Sequence, residues 1–184
     1  MGRTDTTTRR TLLGAAVAGA ALAGCGDDSG GAPRRPNNAS DAATLNSLLA
    51  FEHAVVAAYD VSEPLLRGRA LRNVRAIADQ EREHVRLLTG LVRDLGATPA
   101  GPRLPDEYRR SFPRMRDEHD ALFFASDLEE RGVRKYLESL AKLSDPRLRR
   151  TAGALGVDEG EHLAVVHLLR GEPAAPEPFV TGTS

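Results

Sequence analysis

The sequence predicts an all-α fold, an antiparallel four-helix bundle made of two helical hairpins joined by a long crossover. Three observations carry this. Long Ala/Leu/Arg/Glu stretches, with few β-branched runs and no Trp, favour helix. Four separate stretches repeat apolar side chains at alternating steps of three and four, the spacing of one buried helical face. Between them fall Gly, Pro and Ser-Asp-Pro signals of the kind that end and restart helices.

Taken in chain order, residues 1–24 read as a targeting segment and stand outside the fold. Thr8-Arg9-Arg10-Thr11-Leu12-Leu13 resembles a twin-arginine export signal. The apolar run from Leu12 to Gly24 is too short to span a bilayer as a helix. It ends in Leu22-Ala23-Gly24-Cys25, which resembles a bacterial lipobox, so Cys25 is expected to carry a lipid. That places the protein in the cell envelope, anchored to the outer face of the cytoplasmic membrane. The alternative is ordinary cleavage after Ala21-Leu22-Ala23, which leaves Cys25 incidental. Because Cys25 is the only Cys, an intrachain disulfide and a four-Cys rubredoxin-type iron site are both excluded. Residues 25–39 are expected to form a flexible tether, 40–171 the four-helix domain, and 172–184 a disordered Pro-rich tail. The net charge of −1 and pI near 6.5 provide no nucleic-acid footprint. Loss of the targeting segment removes Arg3, Arg9, Arg10 and Asp5 and leaves the chain more acidic.

The first helix presents Leu45, Leu49, Glu52, Val56 and Tyr59 on one seam. The second presents Val74, Ile77, Glu81, His84, Leu88, Leu91 and Leu95. Gly68, beside the midpoint of Glu52 and Glu81, marks the turn between them. Gly96 to Arg116 holds Pro99, Pro102, Pro105 and Pro113, and is long enough for a crossover along the bundle. The third helix presents Leu122, Ala125, Glu129, Gly132, Tyr136, Leu140 and Leu143. Ser144-Asp145-Pro146 then reads as a stop, an N-cap and a Pro at the first helical position. The fourth presents Leu148, Ala152, Leu155, Glu159, His162, Val166 and Leu169.

Six charged or imidazole side chains interrupt these seams: Glu52, Glu81, His84, Glu129, Glu159 and His162. They spell Glu, Glu-x-x-His, Glu, Glu-x-x-His, which is the ligand set of a di-iron or di-manganese carboxylate site in a helical bundle. Glu-x-x-His puts a carboxylate and an imidazole one turn apart on one helix face. One such motif arises by chance. Two are far harder to obtain so when Glu52 precedes Glu81 by nearly the same interval as Glu129 precedes Glu159. A carboxylate on a buried seam is costly unless it is paired or binds metal. Tyr59 and Tyr136 each follow a seam Glu by two helical turns, giving the hairpins the look of an internal repeat. They are candidate catalytic residues beside the site, or else core tyrosines with hydrogen-bonded hydroxyls. Glu83, Glu130 and Glu161 fall off the seam, and His53, His119 and His167 are expected at the surface.

On Leu49-Ala50-Phe51-Glu52-His53, Gln80-Glu81-Arg82-Glu83-His84, Leu128-Glu129-Glu130 and Asp158-Glu159-Gly160-Glu161-His162, the chain resembles the ferritin-like superfamily of ferritins, bacterioferritins and rubrerythrins. The resemblance covers Asp41 to Arg170. It implies two iron ions, or manganese, with Glu52 and Glu129 as terminal ligands. Glu81 and Glu159 would be bridges, and His84 and His162 would supply one imidazole per ion. It implies ferroxidase or peroxidase chemistry with dioxygen or peroxide as substrate. Bulk iron storage is not implied, since a lipid on every subunit fits a cage poorly. Expected partners are the membrane, through lipid on Cys25, and a second copy of the chain in a homodimer. The competing function is a non-catalytic, envelope-tethered bundle for partner binding or stress protection, in which metal is structural or absent.

Overall fold

A computed structural model of the chain describes residues 37–176. The export signal, Cys25 and most of the expected tether lie outside the described residues, as does the end of the tail. Five α-helices follow in order: α1 (Asn38–Ser62), α2 (Gly68–Asp94), α3 (Pro105–Ser111), α4 (Glu118–Lys142) and α5 (Pro146–Leu169). A 3-10 turn, Glu63–Leu65, follows α1, and there is no strand among the described residues. α1 packs on α2 and α4 on α5 as hairpins; α1 against α4 and α2 against α5 join them. No helix among the described residues is long and apolar enough to cross a membrane.

The caps show why the helices start and stop where they do. The Asn37 side chain accepts from the Ser40 amide at 3.2 Å, so α1 begins at Asn38, inside the segment expected to be tether. Such a cap contributes about 1 kcal/mol, enough to hold the first turn in place. α2 and α5 both end in a Schellman motif on a left-handed glycine, Gly96 at φ 78° and Gly171 at φ 80°. The Ala97 amide donates to the Val92 carbonyl and the Glu172 amide to the His167 carbonyl. Glu172, expected as tail, therefore closes α5.

The hairpins are tied together by a repeated device. Glu118, the first residue of α4, accepts from the Arg67 amide in the α1–α2 turn at 2.8 Å. In the internal repeat Asp41 corresponds to Glu118, and Ser144 corresponds to Arg67, at the offset that relates Glu52 to Glu129. Asp41 duly accepts from the Ser144 amide in the α4–α5 turn, at 2.7 Å. Asp41 is fully buried and also accepts from Ser144 Oγ and the Asp145 amide, at 2.9 and 3.0 Å. Each inter-helix turn is thus fastened to the first turn of the opposite hairpin. As the sequence predicts, Asp145 caps α5 and Pro146 occupies its first turn.

The crossover contains a helix, α3, where only Pro-rich connection is expected. Pro105 sits at the first helical position, where a missing N–H costs nothing, so it starts a helix rather than breaking one. Tyr108 is buried and stacks on Phe112, which in turn packs on Phe124 of α4. Asn46 of α1 pins the preceding loop through the Thr98 carbonyl and the Ala100 amide.

Two large apolar clusters fill the bundle, and a smaller one of Ala58, Phe124 and Leu128 packs against Phe112 and Met115. One large cluster, near the α1–α2 turn, includes Val55, Tyr59, Leu66, Val74, Ile77, Leu122 and Val166. The other, near the α4–α5 turn, includes Leu45, Leu49, Leu88, Val92, Tyr136, Leu143 and Leu155. Val55 and Val92 are buried in place of the expected Val56 and Leu91, because a straight helix drifts from a strict heptad. Each buried Leu or Val contributes about 1.5–3 kcal/mol. Along every long helix the candidate ligands fall between the two large clusters.

Candidate metal centre

The bundle brings all six seam residues to one level. Glu52, Glu81, Glu129 and Glu159 are each 0 % exposed, and His84 and His162 are buried. Glu52, Glu81, His84 and Glu159 form one quartet, and Glu81, Glu129, Glu159 and His162 a second. Within each, one ligand atom per residue lies within 4.8 Å of the others. Glu81 and Glu159 belong to both. The imidazoles lie side by side, ring centroids 5.8 Å apart. His84 Nδ1 is 3.2 Å from Glu81 Oε2 and 3.3 Å from Glu159 Oε1. His162 Nδ1 is 2.8 Å from Glu81 Oε1 and 3.6 Å from Glu129 Oε2.

The tyrosines cross between hairpins. Tyr136 donates its hydroxyl to Glu52 Oε1 at 2.5 Å, and Tyr59 donates to Glu129 Oε1. The second oxygens of both carboxylates, Glu52 Oε2 and Glu129 Oε2, have no hydrogen-bond partner. Neither do Glu81 Oε1, both oxygens of Glu159, or His162 Nδ1. Six of the seven such buried atoms among the described residues therefore belong to this cluster. His162 Nδ1 and Glu81 Oε1 are only 2.8 Å apart yet lack hydrogen-bond geometry. Each orphaned polar group costs about 1–3 kcal/mol, more if charged. Buried, unpartnered oxygens and an imidazole nitrogen are the donor set that iron or manganese takes.

Electrostatics without a cation are correspondingly tense. Burial, then the neighbouring Glu159 and Glu81, holds Glu52 well above the usual carboxylate range. Burial, then Glu81 and Glu129, does the same to Glu159. Burial also raises Glu129, against the pull of His162. Glu81 is opposed by burial, but the His162 and His84 imidazoles outweigh it and hold the carboxyl at about 2. Burial pulls His162 down, but Glu129 and Glu81 overcome this and push it up to about 10. Both phenols are raised by burial and by the carboxylate each one faces, so they stay protonated as donors.

Three contributors were not assigned from sequence. The Gln80 Oε1 lies 2.7 Å from His162 Nε2, and Asp158 Oδ2 lies 3.5 Å from His84 Nε2. Each immediately precedes the Glu of the opposite Glu-x-x-His, and that adjacency is the signal that could have found them. Gly132 gives Glu159 its space, as a Cβ there would stand 2.9 Å from Glu159 Cδ. Glu83 and Glu161 are exposed and Glu130 is half-buried, all outside the cluster. His119 is exposed, as expected, with its ring stacked beside Phe123, whereas His53 is half-buried against the Ala100 carbonyl. His167 is buried, contrary to expectation, because the turn after α5 brings the Ala174 carbonyl back to within 3.4 Å of Nδ1.

Comparison with known proteins agrees with this architecture. Residues 40–172 match the ferritin-like domain family. The conserved hypothetical protein rv2844 of Mycobacterium tuberculosis is 19% identical at a TM-score of 0.62, over 72% of this chain and 98% of its own. A ferritin-like, diiron-carboxylate protein of Bacillus anthracis str. Ames is 18% identical at a TM-score of 0.61, over 72% and 96%. No curated protein matches. With the family matched along the whole bundle and its carboxylate–histidine cluster at the centre, the chain belongs to the ferritin-like domain family.

Proposed function

We propose that the chain is an exported, lipid-anchored oxidoreductase whose cluster holds two iron ions, with manganese as the alternative metal. The observation that carries this is the pair of buried quartets sharing Glu81 and Glu159. Glu81 and Glu159 would bridge; Glu52 with His84, and Glu129 with His162, would complete the two halves. When bound, the metal pair supplies the redox steps by which dioxygen or peroxide is reduced, as in ferroxidase or peroxidase chemistry. Tyr59 and Tyr136 hold protons on Glu129 Oε1 and Glu52 Oε1 and leave the opposite oxygens free. A cavity of about 620 Å³ between α2 and α5 is lined by His84 and His162, with Gln80, Glu83, Asp158 and Glu161 on its walls. It is large enough to admit a small oxidant. The envelope location rests on the Arg9-Arg10 and Leu22–Cys25 motifs.

Metal-free protein should be loaded anaerobically with iron(II) and its metal content measured. About two ions per chain are expected, followed by dioxygen- or peroxide-dependent oxidation. A chain that takes up neither iron nor manganese would return the reading to a non-catalytic tethered bundle.

A further inference from the structure

The ligand residues of the two halves match type for type, but the groups behind their histidines differ. Each imidazole turns Nδ1 toward the carboxylates and Nε2 toward the residue that precedes the opposite motif's glutamate. For His162 that residue is Gln80, at 2.7 Å. For His84 it is Asp158, at 3.5 Å. The rest of the set corresponds: Tyr136 serves Glu52 as Tyr59 serves Glu129, and both bridging glutamates are shared. The difference is a carboxylate against a neutral amide. A carboxylate behind a metal-binding imidazole fixes the ring, raises its basicity and adds negative charge near the cation. The amide oxygen of Gln80 stands at hydrogen-bond distance but carries no charge, whereas Asp158 carries the charge at an ion-pair distance. Asp158 is half-exposed, which weakens its field, but the ring it faces is buried.

Resting on the dimetal reading above, we infer that the two metal positions are unequal: a divalent cation fills the His84 half, backed by Asp158, before the His162 half, backed by Gln80. At low metal supply the chain then holds one ion at His84, while the His162 half fills and empties as supply changes.

Unequal binding steps alone do not decide this, because two cations sharing bridging carboxylates repel each other. The test is which half fills first. Metal-free full-length chain is titrated with cobalt(II), followed by calorimetry and visible absorption. His84→Ala should weaken the first step, whereas His162→Ala should leave it within about threefold and weaken the second. Asp158→Asn should weaken the first step about tenfold, the usual effect of losing such a partner. Gln80→Glu should tighten the second. These last two substitutions are isosteric at residues that reach solvent, so melting curves of both should match the parent chain. Two bound ions with equal responses to His84→Ala and His162→Ala, or an unaltered first step in Asp158→Asn, overturn the inequality and leave the dimetal reading standing. Absence of any cobalt binding overturns that reading and the inequality with it.

Discussion

Gly132 on α4 lies against the carboxylate of Glu159 on α5, so closely that a Cβ at position 132 would overlap Oε2 and stand 2.9 Å from Cδ. Its counterpart in the first hairpin, at the offset that relates Glu52 to Glu129, is Val55, buried in the apolar cluster beside the site. The repeat has been broken at this point to seat a carboxylate. Gly132→Ala should gain up to about 1 kcal/mol of helix propensity and lose about 1–3 kcal/mol to overpacking. The net change runs from about zero to a loss of about 3 kcal/mol, so the melting temperature should stay level or fall. Metal affinity should fall about tenfold or more, since the carboxylate is displaced from the quartets it joins. Parallel melts and metal titrations check this; unchanged affinity would remove Glu159 from the ligand set.

The pH dependence of stability should change sign with metal. Glu52, Glu129, Glu159, His84 and His162 all have raised folded pKa values. A raised group stabilises fully below its unfolded pKa, and that contribution is lost as pH rises through the folded value. Glu81, held at about 2, runs the other way, and its contribution is lost only as pH falls toward that value. Metal-free protein should therefore lose stability steadily from about pH 5 toward about pH 10, the folded value of His162. Metal needs deprotonated ligands, so its stabilising effect should grow over the same range. Glu159→Gln should flatten the metal-free slope and abolish the gain from metal. Thermal melts across this range, with and without metal, are the measurement.

Tyr59→Phe and Tyr136→Phe separate a working role from a packing one. Each leaves a buried carboxylate oxygen without its donor, at a cost of about 1–3 kcal/mol. Both variants should still bind metal, because the ligand atoms are untouched. If the phenols manage protons at the site, oxidation per bound iron should slow about tenfold or more. Rates equal to the parent chain would reduce both to core tyrosines.

Cys25→Ala should move the protein from the membrane fraction to the soluble fraction and abolish incorporation of a lipid label. The motivation is Leu22-Ala23-Gly24-Cys25 and the uniqueness of that Cys. Retention in the membrane, with no lipid on the parent chain, would leave ordinary signal cleavage as the reading.

The heptad-like seams, the Gly68 and Ser144-Asp145-Pro146 turns and the six interrupting residues were legible in the one-dimensional pattern. Burial of a helix face and capping are local properties, encoded within a few residues. The same periodicity placed Glu52, Glu81, Glu129 and Glu159 inside, where a charge is costly unless it is paired or binds a cation. Other features depended on which helix faces which. Gln80 and Asp158 look like solvent-facing residues on their own helices and acquire roles only from the imidazole across the α2/α5 contact. Gly132 reads as one more small seam residue until α5 places a carboxylate above it. Asp41 and Glu118 look like ordinary acidic first-turn residues, yet each ties down the turn of the other hairpin. α3 was hidden because a proline that starts a helix and one that breaks it are the same letter. Periodicity reports burial along one chain axis; partners across the bundle are set by packing in the other two dimensions, and only the tertiary structure decides them.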